Sequence, residues 1–152
     1  MAIYTSRFSN PALRSGEYQT IRISVGKPRW ELGYKLDGDF PHLMPYGLFD
    51  DNNISKGEFS RRYVNRLNDK ADIIINTLKA MSAKRDIVLL CYEDIRKPGN
   101  WCHREVFADW WYDNTGKMIS ELTDPSNEPK KESVSPFISQ NTETHGEQTS
   151  LF

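Results

Sequence analysis

The sequence is poor in cysteine and histidine and has no long apolar run. Only two cysteines and three histidines occur among 152 residues. Two cysteines are too few for a disulfide scaffold, so we expect both thiols to be reduced. A zinc site would need a third and a fourth ligand, and because His42 and His145 are the only other histidines and C-x-x-C is absent, no metal is predicted. Without an 18-residue apolar run or a charged-then-apolar leader, we expect a cytoplasmic protein with no membrane partner.

Several catalytic and cofactor-binding motifs are also missing. The chain has no P-loop, no glycine-rich dinucleotide fingerprint and no serine nucleophile elbow. The phosphatase arrangement of cysteine, five residues and arginine does not occur, since Arg96 follows Cys91 after only four residues. No nucleotide-binding or serine-nucleophile motif is therefore recognisable, and no cofactor is predicted.

Charge is distributed unevenly along a chain whose formal net charge is only -1. Residues 1–120 contain 18 Lys and Arg against 15 Asp and Glu, a net charge of +3. Residues 121–152 contain 2 against 6, a net charge of -4. A mildly basic body with an acidic tail is compatible with an anionic ligand.

The order of the predicted elements indicates an α/β fold. Short runs rich in β-branched and aromatic residues predict strands, and apolar residues at spacings of three and four predict helices. The expected strands are 2–8, 20–25 and 86–92, and the expected helices are 58–82, starting near Ser55 or Gly57, and 101–113, capped by Asn100. The uninterrupted apolar run 86–92 is typical of a central parallel strand. We therefore predict a small, layered, Rossmann-like domain with a mostly parallel sheet.

Composition changes near residue 121, after which Pro, Ser, Thr, Asn, Glu and Lys dominate and neither Trp nor Tyr occurs. Such a segment cannot bury enough apolar surface to offset the entropy lost on ordering. We predict a domain over residues 1–120, a disordered linker over 121–147 and a terminal motif over 148–152.

Both cysteines lie at predicted junctions between a strand and a helix. Cys91 ends the central strand two residues before Glu93, and Cys102-His103-Arg104 opens the following helix. The carboxyl ends of parallel strands and the first turn of a helix are common ligand sites in α/β folds. We therefore predict that Cys91, Glu93, Cys102 and His103 are catalytic and that Arg104 binds an anion.

Simpler interpretations of these residues stay open at this point. Cys91 is suited to core packing, His103 could pack beside Phe107, and Arg104 could be a solvated residue of the first turn. A reversible Cys91–Cys102 redox pair is a further alternative, although no C-x-x-C motif supports it. The adjacency of Cys102, His103 and Arg104 favours a functional role for the three together.

Four segments of the chain, IYTSRF, ISVGKPRW, LLCYE and WCHREVFADWW, together form a recognisable pattern. They resemble the bacterial "domain of unknown function 488" family over about residues 2–112. The signature residues present are Cys91, Glu93, Cys102, His103, Arg104 and Trp110. The chain resembles the subgroup with Ile-Ser and Pro-x-Trp after the second strand and lacks the Gly-His-Ser and Asp-x-Arg pattern of other members. The resemblance implies an α/β fold and a shared site, and no established reaction.

Polar residues follow the first two predicted strands, where they could contribute to a ligand site. We predict ligand-binding roles for Ser6, Arg7, Ser24, Arg29 and Trp30, and we expect some of them to share one pocket with the Cys-His-Arg residues. Cations beside aromatic faces are suited to a nucleotide or a single strand. The alternative is an ordinary solvated surface.

The last five residues, QTSLF, resemble the pentapeptide that binds the bacterial sliding clamp of DNA replication. In that motif Leu151 and Phe152 would fill an apolar pocket, while Gln148 and Ser150 would fix the register by hydrogen bonds. A flexible tether would raise the local concentration of the domain near DNA. The alternative is a polar tail that ends in two apolar residues by chance.

Two hypotheses of function follow. The first is a nucleotide- or DNA-associated enzyme with a Cys-His-Arg site that the clamp recruits to replication or repair. The second is a non-catalytic adaptor or inhibitor that binds the clamp and a small anionic ligand, and that a phage could encode.

Overall fold

A computed structural model describes residues 2–49 and 54–127 of the chain. Within these ranges the strands are β1 (Ile3–Arg7), β2 (Gln19–Arg22), β3 (Gly38–Asp39), β4 (Ile87–Cys91) and β5 (Ser120–Glu121). They form one parallel sheet in the order β3-β2-β4-β1-β5. The predicted α/β class with a parallel sheet is confirmed.

Strand β4 lies at the centre of this sheet, as its apolar sequence predicts. All five of its residues are buried. It pairs with β1 on one side, where Arg7 is opposite Cys91, and with β2 on the other, where Arg22 is opposite Leu90. The carboxyl ends of β1, β2 and β4 therefore lie side by side.

The helices are α1 (Lys56–Asp69), α2 (Ala71–Ser82) and α3 (His103–Thr115), with short 3-10 helices at Pro11–Ser15 and Pro41–Leu43. The single helix expected over 58–82 is wrong, because Lys70 leaves the helical conformation with φ -122° and ψ 25°. The Lys70 N–H donates hydrogen bonds to the Leu67 and Asn68 carbonyls, so the hydrogen-bond pattern of the α-helix stops there. Ser55 caps α1 by accepting a hydrogen bond from the Glu58 N–H at 3.0 Å.

The two faces of the sheet are covered differently. Ile87, Leu89 and Cys91 of β4 belong to the core that includes the helices, whereas Val88 and Leu90 pack with Phe8 and Leu13 on the other face. This alternation follows from the two-residue period of a strand. None of the helices in residues 2–49 and 54–127 has the length and hydropathy that a membrane span requires.

The folded part extends past residue 121, where the linker was expected to begin. The Leu122 N–H donates to the Thr5 carbonyl at 2.8 Å, and the Leu122 side chain is buried. Asp124 accepts a hydrogen bond from Arg7 at 2.7 Å. Residues 128–152, which include the rest of the expected linker and the terminal pentapeptide, lie outside the described residues.

The central position of β4 predicts unequal effects for the same substitution at two valines. Val88 is fully buried, whereas Val25 is 48% exposed just after β2. Val88→Ala should lower the free energy of unfolding by about 2 kcal/mol, because two buried methyl groups and their packing are lost. Val25→Ala should change it by less than about 0.5 kcal/mol. Urea unfolding of both variants tests this, and equal effects would contradict the assigned burial.

Candidate functional site

The start of α3 places Cys102, His103 and Arg104 next to the carboxyl end of β4, on the helix side of the sheet. The prediction that Asn100 caps this helix is wrong, because the Asn100 side-chain amide donates instead to the Asp94 carbonyl at 3.2 Å. Cys102 is the N-cap, and its N–H donates to the Glu105 carboxylate at 3.0 Å. This half of a capping box fixes how the chain enters α3.

Cys91 and Cys102 meet in the core on the helix side of the sheet. Their sulfur atoms are joined as a disulfide, contrary to the expectation of two reduced thiols. Both residues are almost completely shielded from solvent. The two Cα atoms are 7.7 Å apart, beyond the roughly 4.4–6.8 Å that most disulfides span. The link connects β4 directly to the N-terminus of α3.

His103 is oriented by the backbone of the segment that follows β2. Its Nε2 lies 2.8 Å from the Ile23 carbonyl oxygen, which can only accept a hydrogen bond, so Nε2 is protonated. Its Nδ1 lies 3.6 Å from Cys102 Sγ, and Tyr63 packs edge-on against the ring. Burial lowers the pKa of His103 to about 4, so the imidazole is neutral at neutral pH and Nδ1 presents a lone pair to the sulfur.

Arg104 is fully buried and has several hydrogen-bond partners. It donates two hydrogen bonds to the Glu121 carboxylate, at 2.9 and 2.7 Å, one to the Glu93 carbonyl at 2.8 Å and one to Cys91 Sγ at 3.0 Å. A buried guanidinium needs such partners, because desolvation of an unpaired charge is costly. The positive charge predicted to bind an external anion is therefore neutralised within the protein by Glu121.

Glu93 is the half-buried carboxylate of the site. Burial raises its pKa, while its own backbone N–H and the charge of Arg104 oppose that shift. Among the described residues, no other side chain forms a hydrogen bond or ion pair with this carboxylate. A carboxyl group of this kind is suited to donate or accept a proton.

The other predicted ligand-binding residues do not join this cluster. The Ser6 hydroxyl, in β1, donates to the Arg7 carbonyl, and the Ser24 hydroxyl donates to the Gly26 carbonyl and also hydrogen-bonds with Tyr92. Arg7 binds Asp124 and Ser126. Trp30 contacts Tyr92, whose ring packs on Phe8 on the opposite side of the sheet from Cys91. The predicted residues thus form two groups, one on each side of the β4 end.

Sequence reasoning missed Glu121 and the Ile23 carbonyl, and it gave Tyr92 no role. Glu121 comes from a two-residue strand at the start of a polar segment, and nothing in that composition distinguishes it from its neighbours. Tyr92 follows Cys91 directly, so the alternation of side chains along β4 would have placed it on the opposite face.

Fold and site together define an α/β domain with a Cys-x-Glu strand end joined to a Cys-His-Arg helix start. The chain belongs to the DUF488-N3a family, described as the active DUF488-N3 subclade, whose family model matches residues 40–115. That range contains Cys91, Glu93, Cys102, His103 and Arg104, whereas the first three strands precede it. Searches of curated proteins and of solved structures found no match.

The pairing of Arg104 with Glu121 predicts a loss of stability when the carboxylate is neutralised. Glu121→Gln should lower the free energy of unfolding by about 2 kcal/mol, since a fully buried guanidinium loses a charged acceptor. The matched control is Glu58→Gln, which removes an exposed carboxylate from its pairs with Arg61 and Arg62 and should lower the free energy of unfolding much less, because water screens those pairs. Equal costs in chemical denaturation would show that the buried pair is not important for stability.

Proposed function

We propose that this protein is an enzyme of DNA metabolism that binds a nucleotide or a short single strand across the carboxyl end of β4. We further propose that its C-terminal pentapeptide delivers it to the bacterial sliding clamp. The observation that supports the first proposal best is an exposed pair of aromatic rings, Trp30 and Tyr92, beside cationic residues at the strand end.

Trp30 and Tyr92 form an aromatic platform that is open to solvent. Their ring centroids are 6.0 Å apart, and the residues are 49% and 37% exposed. The buried Phe8 packs against the Tyr92 ring with centroids 5.1 Å apart, which holds that ring in place. Nucleobases stack on such faces without much dependence on base identity. Two exposed aromatic rings beside the end of the central strand are therefore suited to stack with a nucleobase.

Positive charge lies next to this platform. Neither Lys27 nor Arg29 takes part in the ion pairs found among the described residues. The charge of Arg29 acts on Tyr92, where it partly offsets the rise in pKa that burial causes. Arg22, in contrast, is held by Asp39 at 2.8 Å. Lys27 and Arg29 can therefore meet a phosphate while the platform holds the base.

Glu93 is the acid–base group in this proposal. The charge of Arg104, which lies on the helix side of the sheet and not on the Tyr92 side, acts on its carboxylate. A ligand that lies across the end of β4 can touch the platform with its base and Glu93 with its reacting part. The end of β4 is then held in position from the helix side of the sheet by Cys102, His103 and Arg104.

The adaptor hypothesis is favoured by one observation, the burial and internal pairing of Cys102, His103 and Arg104. The two hypotheses differ in whether a bound ligand is altered. Incubation with nucleotides and short single strands, followed by mass spectrometry, separates them. A product that Glu93→Gln abolishes while binding persists supports the enzyme, and a bound ligand that stays unchanged supports the adaptor.

Stacking on the platform predicts a specific loss of binding in one aromatic variant. Trp30→Ala should weaken the binding of a short single-stranded oligonucleotide roughly 5- to 100-fold, because one base loses its stacking partner. Tyr112→Ala is the matched control, since Tyr112 is 53% exposed on α3, away from the platform, and its loss should leave affinity unchanged. Fluorescence anisotropy of a labelled oligonucleotide measures both. Equal affinity of Trp30→Ala and wild type would refute the platform.

The terminal pentapeptide predicts clamp binding that depends on its two apolar residues. Replacing Leu151 and Phe152 by Ala should abolish binding to a purified bacterial sliding clamp, with micromolar affinity for the intact chain as a rough expectation for so short an anchor. Replacing Phe137 and Ile138 by Ala is the matched control, because it removes another adjacent apolar pair from the same polar segment. Calorimetric titration decides the matter. Equal binding by both variants, or none by the intact chain, contradicts recruitment by this motif.

A further inference from the structure

We propose that the reduced form of this protein binds one thiophilic divalent metal ion of the zinc class through Cys91 Sγ, Cys102 Sγ and His103 Nδ1. These three ligand atoms all lie within 4.8 Å of one another in the core. Thiolate sulfur and imidazole nitrogen are the donors that zinc prefers in proteins. The inference does not depend on nucleotide or clamp binding.

The distance between the Cys102 and His103 ligand atoms suits an ion, whereas the two bonded sulfurs must first separate on reduction. Cys102 Sγ and His103 Nδ1 are 3.6 Å apart. Tetrahedral zinc with ordinary bond lengths to sulfur and nitrogen separates two such ligands by about 3.6 Å. The 7.7 Å between the Cα atoms of Cys91 and Cys102 exceeds the usual disulfide range and leaves room for the sulfurs to move apart around an ion.

Hydrogen bonds already orient two of the three ligands. A metal-bound histidine characteristically donates its other ring N–H to a carbonyl or carboxylate. Here the Nε2–H of His103 donates to the Ile23 carbonyl at 2.8 Å, which turns the Nδ1 lone pair toward Cys102. Arg104 donates to Cys91 Sγ at 3.0 Å, an interaction that favours the thiolate form of that sulfur.

When both cysteines are ionised, a divalent cation balances the charges of the cluster. Arg104 and Glu121 neutralise each other through two hydrogen bonds. Two thiolates from Cys91 and Cys102 would then leave two uncompensated negative charges in a site that is almost completely shielded from solvent. One divalent ion removes this penalty.

Formation of the site begins from the disulfide that the structure contains. A dithiol reductant supplies two electrons and two protons, the S–S bond breaks, and two thiols form as the reductant becomes a disulfide. Binding of the ion then releases the two thiol protons. Three protein ligands match the number in catalytic zinc sites, in which water completes the coordination.

Metal analysis of the full chain, purified with a thiol reductant and without chelator, tests the proposal. We expect about one zinc per chain in the wild type and loss of zinc in Cys91→Ser, Cys102→Ser and His103→Asn. His42→Asn is the matched histidine control, because His42 lies outside the cluster, and it should keep the metal. Replacement by Co²⁺ should add the near-ultraviolet absorption of a thiolate–cobalt bond. Absence of this absorption, or equal zinc in all variants, overturns the proposal.

A second measurement uses only the folded wild type, in case a variant fails to fold. The reduced, metal-free protein should show two reactive thiols on slow exposure to an alkylating reagent, and added Zn²⁺ should protect both. If two thiols are present but zinc neither binds nor slows alkylation, the pair is a simple redox couple or packed core, and the metal site is refuted.

Discussion

The site depends on the hydrogen bonds that the fully buried guanidinium of Arg104 donates. This guanidinium connects α3 to two other parts of the chain, since it binds Glu121 of β5 and, at the end of β4, the carbonyl of Glu93 and the sulfur of Cys91. Removing any one partner would leave buried charge or a buried polar atom unsatisfied. The strand end therefore has a fixed shape, and the positions of Tyr92 and Glu93 on its two sides follow from it.

This arrangement separates support from contact with ligand. Cys91, Cys102 and His103 lie on the helix side of the sheet and are shielded from solvent, whereas Trp30 and Tyr92 on the other side are exposed. A signature that suggests a nucleophile in sequence thus forms an internal cluster in the fold. The groups suited to meet a ligand are those at the edge, where the central strand ends between its two parallel neighbours.

The parts of the fold with strong local signals could be predicted from sequence. The apolar run of β4 indicated a central parallel strand, and the Cys-x-Glu and Cys-His-Arg residues indicated the family. Strands β3 and β5 could not be predicted, because two-residue strands have no alternation to detect. The break at Lys70 could not be predicted, because the apolar spacing continues through both helices. The N-cap of α3 was assigned to Asn100 because asparagine is a stronger capping signal than cysteine. The pairing of Arg104 with Glu121 depends on tertiary structure alone.

We propose that ligand binds across the carboxyl end of β4. The most direct measurement is a titration of isotope-labelled protein with a short single-stranded oligonucleotide, followed by backbone amide chemical shifts in NMR spectra. Binding across this strand end should produce saturable shifts concentrated at residues 24–30 and at Tyr92 and Glu93. Shifts confined to the surface around Tyr112 and Met118, or no saturable shifts at all, would contradict it.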